Sequence, residues 1–318
     1  MKKLALVLGA GGFIGHHLVN RLIKDGYFVC GVDLKYPEFS TTSADNFHIL
    51  DLRNFENLEF IFKTYKFFDE VYQLAGDMGG ATYINSGDND ASVISNSVQI
   101  NINTAKICST FKVGKLFFSS SACIYGNKNE LATCKEEEAY PAYPDNEYGW
   151  EKLFSERMYK CFNKNFGLNV KIARFHSITG EESTWNGGKE KAHSALARKV
   201  AMVKNGGSIE VIGDGSQLRT FLHVDDCLDA IRLLMDSSTD EILNIGSDNL
   251  VSINEYINIL KKISNKNFEI SYINGPTGVI SRKCPIEKIK TILQWEPKLS
   301  LEETTRKTYD WILQQINK

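Results

Sequence analysis

Glycines at 9, 12 and 15, set directly after the apolar run 3–8 and directly before a helical pattern, constrain this chain more than any other feature. A turn reading Gly9-Ala-Gly-Gly-Phe13-Ile14-Gly15 lets backbone N–H groups approach a pyrophosphate at a helix N-terminus. Apolar residues at 13, 14, 18, 19, 22 and 23 follow helical spacing, and residues 27–32 read as a second strand that ends at Asp33. Strand, glycine turn, helix, strand and acid in that order predict a dinucleotide site with contacts at Gly9, Gly12, Phe13, Ile14 and Gly15. Asp33 is placed to hydrogen-bond the adenosine ribose and to repel a 2′-phosphate, which favours NAD over NADP. Asp51-Leu52, ending a third strand, reads equally well as an adenine contact or as a helix cap.

Further strand-like runs recur at 47–50, 70–74, 115–119 and 169–175, with helical patterns between them, notably 93–112 and 147–165. That alternation predicts an α/β chain with a Rossmann-type, doubly wound parallel sheet. The expected division is a dinucleotide-binding domain over 1–176 and a smaller substrate lobe over 177–318, with 214–246 returning to the sheet. The remainder, 247–318, reads as short helices and turns.

The formal charge of −2 argues against nucleic acid as the main partner. Seven cysteines without a CxxC pair read as reduced thiols, with no metal site expected. The first apolar run stops at Gly9, too early for a signal peptide, and no stretch is long enough to span a bilayer. A cytoplasmic protein is expected.

Two further strings carry chemistry. Residues 119–126 read Ser-Ser-Ser-Ala-Cys-Ile-Tyr-Gly, and 148–152 read Tyr-Gly-Trp-Glu-Lys. Tyr148 and Lys152 share one helix face. An ammonium there favours the phenolate, pulling a tyrosine down from about 10 toward neutrality. Such a tyrosine takes a proton from a substrate hydroxyl while hydride leaves for a nicotinamide. Cys123 adds a second proton-transfer group, since a free thiol titrates near about 8.5.

In these strings the chain resembles the extended short-chain dehydrogenase/reductase family, whose serine, tyrosine and lysine correspond to Ser121, Tyr148 and Lys152. Three more segments sharpen the likeness: Ala75-Gly-Asp-Met-Gly-Gly80, Trp185-Asn-Gly-Gly-Lys-Glu-Lys-Ala192 and Gly213-Asp-Gly-Ser-Gln-Leu-Arg-Thr220. With the cysteine string they are similar to the GDP-mannose 3,5-epimerases, in the same order over nearly the whole chain. The resemblance implies transient oxidation of a hexose at C4, which acidifies C3 and C5. Cys123 and Lys191 then remove and return protons from opposite faces. It also implies that Gly79, Ser121, Ala122 and Ser177 lie against the GDP-linked sugar, with the backbone at Glu190, Lys191 and Ala192 holding it. Lys199, Gln217, Arg219 and Arg282 would hold the nucleotide diphosphate and base, as suits cationic side chains. A homodimer through helices 93–112 and 147–165 follows from the same likeness.

The chain departs from that pattern at Ser177, where the relatives have asparagine, and at Lys283-Cys284-Pro285, where they have Asn-Ser-Asp. Both changes fall on the sugar-nucleotide side, so another GDP-linked sugar, such as a heptose, stays open. A GDP-fucose-synthase-like reductase would use histidine at Lys191 and NADPH, against Asp33. A 4-epimerase or 4-dehydrogenase would need neither Cys123 nor Lys191, and a dehydratase would want an acid near 123. A non-catalytic dinucleotide sensor would not keep Tyr148 and Lys152. His193 and His176 read as structural.

Overall fold

A computed structural model describes residues 2–126, 133–275 and 279–318. The apolar runs pair into one sheet. β1 (Leu4–Leu8), β2 (Phe28–Asp33), β3 (Asn46–Ile49), β4 (Glu70–Gln73), β5 (Lys115–Ser121) and β6 (Val170–Phe175) are joined at one edge by Leu243–Ile245. The order is Leu243–Ile245, β6, β5, β4, β1, β2, β3, and every pairing is parallel. Parallel neighbours need crossovers, so helices cover both faces. The helices in chain order are α1 (Phe13–Lys24), α2 (Phe55–Tyr65), α3 (Ala81–Asn85), α4 (Asp90–Thr110), α5 (Glu147–Phe166), α6 (Ala192–Met202), α7 (Val224–Asp236), α8 (Ile253–Ser264), α9 (Glu287–Leu293) and α10 (Leu301–Ile316). This is the Rossmann-type doubly wound fold that the strand–helix rhythm predicts.

The pleat explains why β1 is apolar throughout. Ala5 and Val7 join the cluster under α1 and α7, while Leu6 and Leu8 join the opposite cluster with Phe62, Ile107 and Tyr159. A strand buried on both faces has no polar positions to spare. A third cluster, containing Leu196, Val200, Ile257, Leu260 and Ile312, holds α6, α8 and α10 together. Beside it, Ser208–Ile212 pairs in parallel with Glu269–Ile273.

The C-terminal region is more regular than its reading as short helices and turns. α8 runs 12 residues and α10 runs 16. Both open with a reciprocal capping box, Ser252 with Glu255 and Ser300 with Glu303, which fixes where each helix starts. Among the described residues no helix is long and apolar enough to cross a membrane.

From β1 the chain runs outward to β2 and β3 on one side and to β4, β5 and β6 on the other. The strand order therefore reverses between β1 and β4, and a crevice opens there at the carboxyl ends of the strands. The functional residues gather at that reversal.

Candidate active site

A cleft of about 710 Å³ lies over the carboxyl ends of β1, β4 and β5. Its floor is the glycine turn. A Cβ on Gly15 would stand 1.9 Å from the Gly9 carbonyl oxygen, so only glycine lets α1 start this close to β1. Gly12 caps α1 without a side-chain bond, and no acid sits in the first turn to compete for an incoming anion. Asp33 accepts from Gly11 N at 2.9 Å with one oxygen and from Leu34 N at 2.6 Å with the other. The carboxylate is thereby fixed at the edge of the cleft. A close-packed glycine cradle with an oriented acid beside it fits the pyrophosphate and ribose of a dinucleotide.

Asp51 lines the same cleft with Leu52. It does not cap α2; Asn54 does, accepting from Glu56 N. Asp51 instead takes Arg53 Nη2 at 2.6 Å, and that hydrogen bond holds its carboxyl below the usual range. Asn103 Nδ2 donates to the Leu52 and Arg53 carbonyls at 3.1 and 2.9 Å, which pins this loop from below.

The reacting groups come from α5 and the end of β5. Asn146 caps α5 by accepting from Gly149 N at 2.8 Å, so Tyr148 enters on the first turn and Lys152 one turn later. Tyr148 is buried and hydrogen-bonds Ser121. Lys152 Nζ lies 5.6 Å from the Tyr148 ring centroid, 4.9 Å from that of Phe118 and 3.7 Å from Glu151 Oε2. Glu151 in turn accepts from Asn101 Nδ2 at 2.7 Å and from Ser155 Oγ at 2.8 Å.

The electrostatics of the phenol differ from the expectation based on the lysine alone. Burial pushes Tyr148 well up, the charges of Cys123 and Glu151 add to that, and the Ser121 hydrogen bond opposes it. The protein by itself therefore keeps this proton on the tyrosine.

Cys123 sits in the short turn Ala122–Tyr125, its N–H donating to Ser121 Oγ at 3.2 Å. Arg282 Nη1 stands 3.1 Å from its sulfur, and Arg282 Nη2 lies 3.5 Å from Asp145. Arg282, assigned to the nucleotide by resemblance, thus also reaches the thiol. Lys191 borders the same cleft. Burial pushes its ammonium down and the charge of Cys123 raises it, so the two groups sense each other.

Backbone contacts set the position of Lys191. Gly80 N donates to the Lys189 carbonyl at 2.9 Å. A Cβ on Gly80 would fall 2.2 Å from the Glu190 carbonyl oxygen. Lys189 Nζ lies 3.9 Å over the Tyr83 ring, and Tyr83 OH donates to Asp77 at 2.9 Å. The segment before α6 is therefore stitched to the one after β4. Gly80→Ala should displace Lys191 and lower turnover by roughly a hundredfold, since small misplacements of reacting groups are this costly. Steady-state rates beside an unchanged far-UV spectrum would check it.

Gly79, Ala122, Ser177, Ala192 and Arg219 also border the cleft. Arg219 is pushed down to about 10, first by burial and then by the like charge of Arg282. Glu190, Lys199 and Gln217, implied by the resemblance, are not among the residues lining the cleft. The Glu190 side chain binds Arg198 at 3.1 Å while its backbone lies beside Gly80, Lys199 Nζ donates to the Glu210 carbonyl at 2.7 Å, and Gln217 is buried with its backbone carbonyl accepting from Ile253 N. Asn96 and Asp145 also line the cleft without a signal in the sequence, because each acts through a distant partner, Asn96 through Asp77 and Asp145 through Arg282. Among the described residues no cluster of His, Cys, Asp and Glu is arranged to hold a metal.

Residues 5–246 match the NAD dependent epimerase/dehydratase family. The chain belongs to that family. It is 39% identical over 318 residues to a GDP-mannose 3,5-epimerase of Arabidopsis thaliana, covering 98% of this chain and 82% of the relative. A GDP-mannose 3,5-epimerase 1 of Oryza sativa subsp. indica is 38% identical with the same coverage, and a UDP-glucuronate 4-epimerase of Thermodesulfobacterium geofontis is 27% identical, covering 98% and 96%. Among solved structures, the UDP-glucose 4-epimerase of Thermotoga maritima superposes with a TM-score of 0.87 at 26% identity, covering 98% and 99% of the two chains. A UDP-glucuronic acid 4-epimerase from Bacillus cereus, in complex with UDP-glucuronic acid and NAD, gives 0.83 at 26%, with the same coverage. This member of the epimerase/dehydratase family is an NAD-dependent isomerase, and its glycine cradle, Asp33, Tyr148 and Lys152 fit that cofactor.

Proposed function

We propose that the protein inverts carbons beside C4 of GDP-mannose or a close GDP-linked sugar, as a 3,5-epimerase. The observation that carries this reading is the presence of Cys123 and Lys191 on the cleft that also holds Tyr148 and Lys152. A 4-epimerase needs only the second pair, whereas proton exchange on two faces of a ring needs two further acid–base groups. The identity to GDP-mannose 3,5-epimerases over 98% of the chain supports the same choice.

Bound NAD supplies the acceptor for the C4 hydride, a positively charged ring, and the return of the same hydride at the end. Tyr148, with Ser121 on its oxygen and Lys152 behind it, takes the C4 hydroxyl proton and later gives it back. The C4 carbonyl makes the hydrogens on C3 and C5 acidic, because the carbanion spreads its charge onto oxygen. One of Cys123 and Lys191 takes such a hydrogen and the other returns one from the opposite face, inverting that carbon. Arg282 donates to the sulfur, and burial makes the Lys191 ammonium a readier donor. Arg219 and Arg282 crowd each other's charge, and a diphosphate would relieve that repulsion. Trp150 and Phe154, exposed one turn apart on α5, suit pairing of α4 and α5 with a second copy.

The test offers GDP-mannose and UDP-glucose separately to the NAD-loaded enzyme, with products read by proton NMR. New GDP-hexose signals from GDP-mannose support the reading. Conversion of UDP-glucose to its C4 epimer with GDP-mannose untouched would replace it with a 4-epimerase.

A further inference from the structure

Two positions past Lys191, on the first turn of α6, stands a histidine with both polar atoms unused. His193 is 1% exposed and borders the reacting cleft. Among the described residues neither its Nδ1 nor its Nε2 has a hydrogen-bond partner. Other buried histidines are tied down by one nitrogen at least: His16 to Ser40 at 2.8 Å, His176 to Asn244 at 3.1 Å and His223 to Glu181 at 2.9 Å. His193 has only an edge contact, its ring 5.9 Å from that of Phe221.

Buried polar atoms left unpaired are costly and rare, so a pair of them on one ring at a binding cleft points to a partner that arrives with the ligand. The chemistry of the ring narrows what that partner is. Burial, joined by the charge of Lys191, pushes the imidazole down to about 3, so at neutral pH it is uncharged. A neutral imidazole has one donor and one acceptor. That pair matches a hydroxyl, which both gives and takes a hydrogen bond. It matches a phosphate poorly, and Arg219 and Arg282 already offer cations to an anion. An uncharged ring with so little basicity is also no competitor to Cys123 and Lys191 for the proton transfers.

Resting on the 3,5-epimerase reading, we propose that His193 is a specificity-determining residue that hydrogen-bonds a sugar hydroxyl beside Lys191 and so orients the ring between Lys191 and Cys123. The structural alternative is a histidine that merely fills space against Phe221. Substitution separates the two. His193→Phe keeps a flat ring and removes both polar atoms, and His193→Gln keeps a donor and an acceptor.

The experiment measures kcat and KM for deuterium uptake into GDP-mannose, the melting temperature of each NAD-loaded variant, and the imidazole nitrogen NMR signals of 15N-histidine-labelled enzyme with GDP-mannose or with GDP alone. His193→Phe should lower kcat/KM about three- to tenfold, as losing one neutral hydrogen bond does. Its melting temperature should be unchanged or raised, because it no longer buries unpaired atoms. His193→Gln should recover most of the activity. The His193 nitrogens should shift with GDP-mannose and stay still with GDP. Wild-type kcat/KM in His193→Phe would overturn the assignment, as would equal shifts with GDP, or a lower melting temperature with no shift on adding GDP-mannose. A wild-type enzyme that neither binds nor labels GDP-mannose overturns the functional reading and this assignment together, whereas active wild type with an indifferent His193 overturns this assignment alone.

Discussion

Replacing Cys123 with serine is expected to stop proton exchange at C3 and C5 while leaving oxidation at C4 in place. The two halves of the reaction use different residues. Tyr148, Lys152 and Ser121 meet at the start of α5 and the end of β5, and Cys123 is tied to them by its N–H, which donates to Ser121 Oγ at 3.2 Å. Serine preserves that backbone contact, and its hydroxyl can still accept from Arg282. It cannot reach a useful anionic state near neutral pH, because a hydroxyl is a far weaker acid than a thiol. Losing one acid–base group costs on the order of 10²–10⁴ in rate. Absorbance of reduced nicotinamide after mixing enzyme with GDP-mannose should therefore still rise, and deuterium uptake from heavy water should fall by that factor. Unchanged uptake would remove Cys123 from the chemistry.

Tyr148→Phe should abolish both signals. Without the phenol oxygen nothing accepts the C4 hydroxyl proton, so no carbonyl forms and C3 and C5 stay as inert as in the starting sugar. The loss is again on the order of 10²–10⁴ for the oxidation, and exchange falls with it. The fold should tolerate the change, since the phenol's partner, Ser121, keeps Cys123 N as a donor to its oxygen. A variant that still exchanged protons would show that they come off without a carbonyl. Because burial, Cys123 and Glu151 push the free phenol up, the pH dependence should also differ between the protein alone and the NAD complex, with the tyrosine titrating lower once the cationic ring is bound.

These two variants also mark what could be read before the fold was known. β1, the glycine turn and α1 are local: an apolar run, three glycines and a 3.6-residue repeat decide them, and α1 occupies Phe13–Lys24 as its spacing predicts. Tyr148 and Lys152 were legible for the same reason, being one helical turn apart. The contacts that locate Lys191 were not, because they join residues after β4 to residues before α6 through backbone atoms that carry no sequence signal. The state of the free Tyr148 phenol does not follow from its lysine neighbour alone, since burial depends on the packing of the whole cleft. Lys199 looks like a ligand in a motif, yet its ammonium donates to the Glu210 backbone carbonyl. The start of α10 is marked by the Ser300–Glu303 spacing, whereas its length depends on packing in the cluster with α6 and α8.

The most direct measurement incubates the NAD-loaded enzyme with GDP-mannose in heavy water and locates the label in the recovered sugar by NMR. Deuterium at C3 and C5, with the C4 hydrogen retained because it leaves and returns as the same hydride, is the result this account predicts. Deuterium at neither carbon, or label at C4, would contradict it.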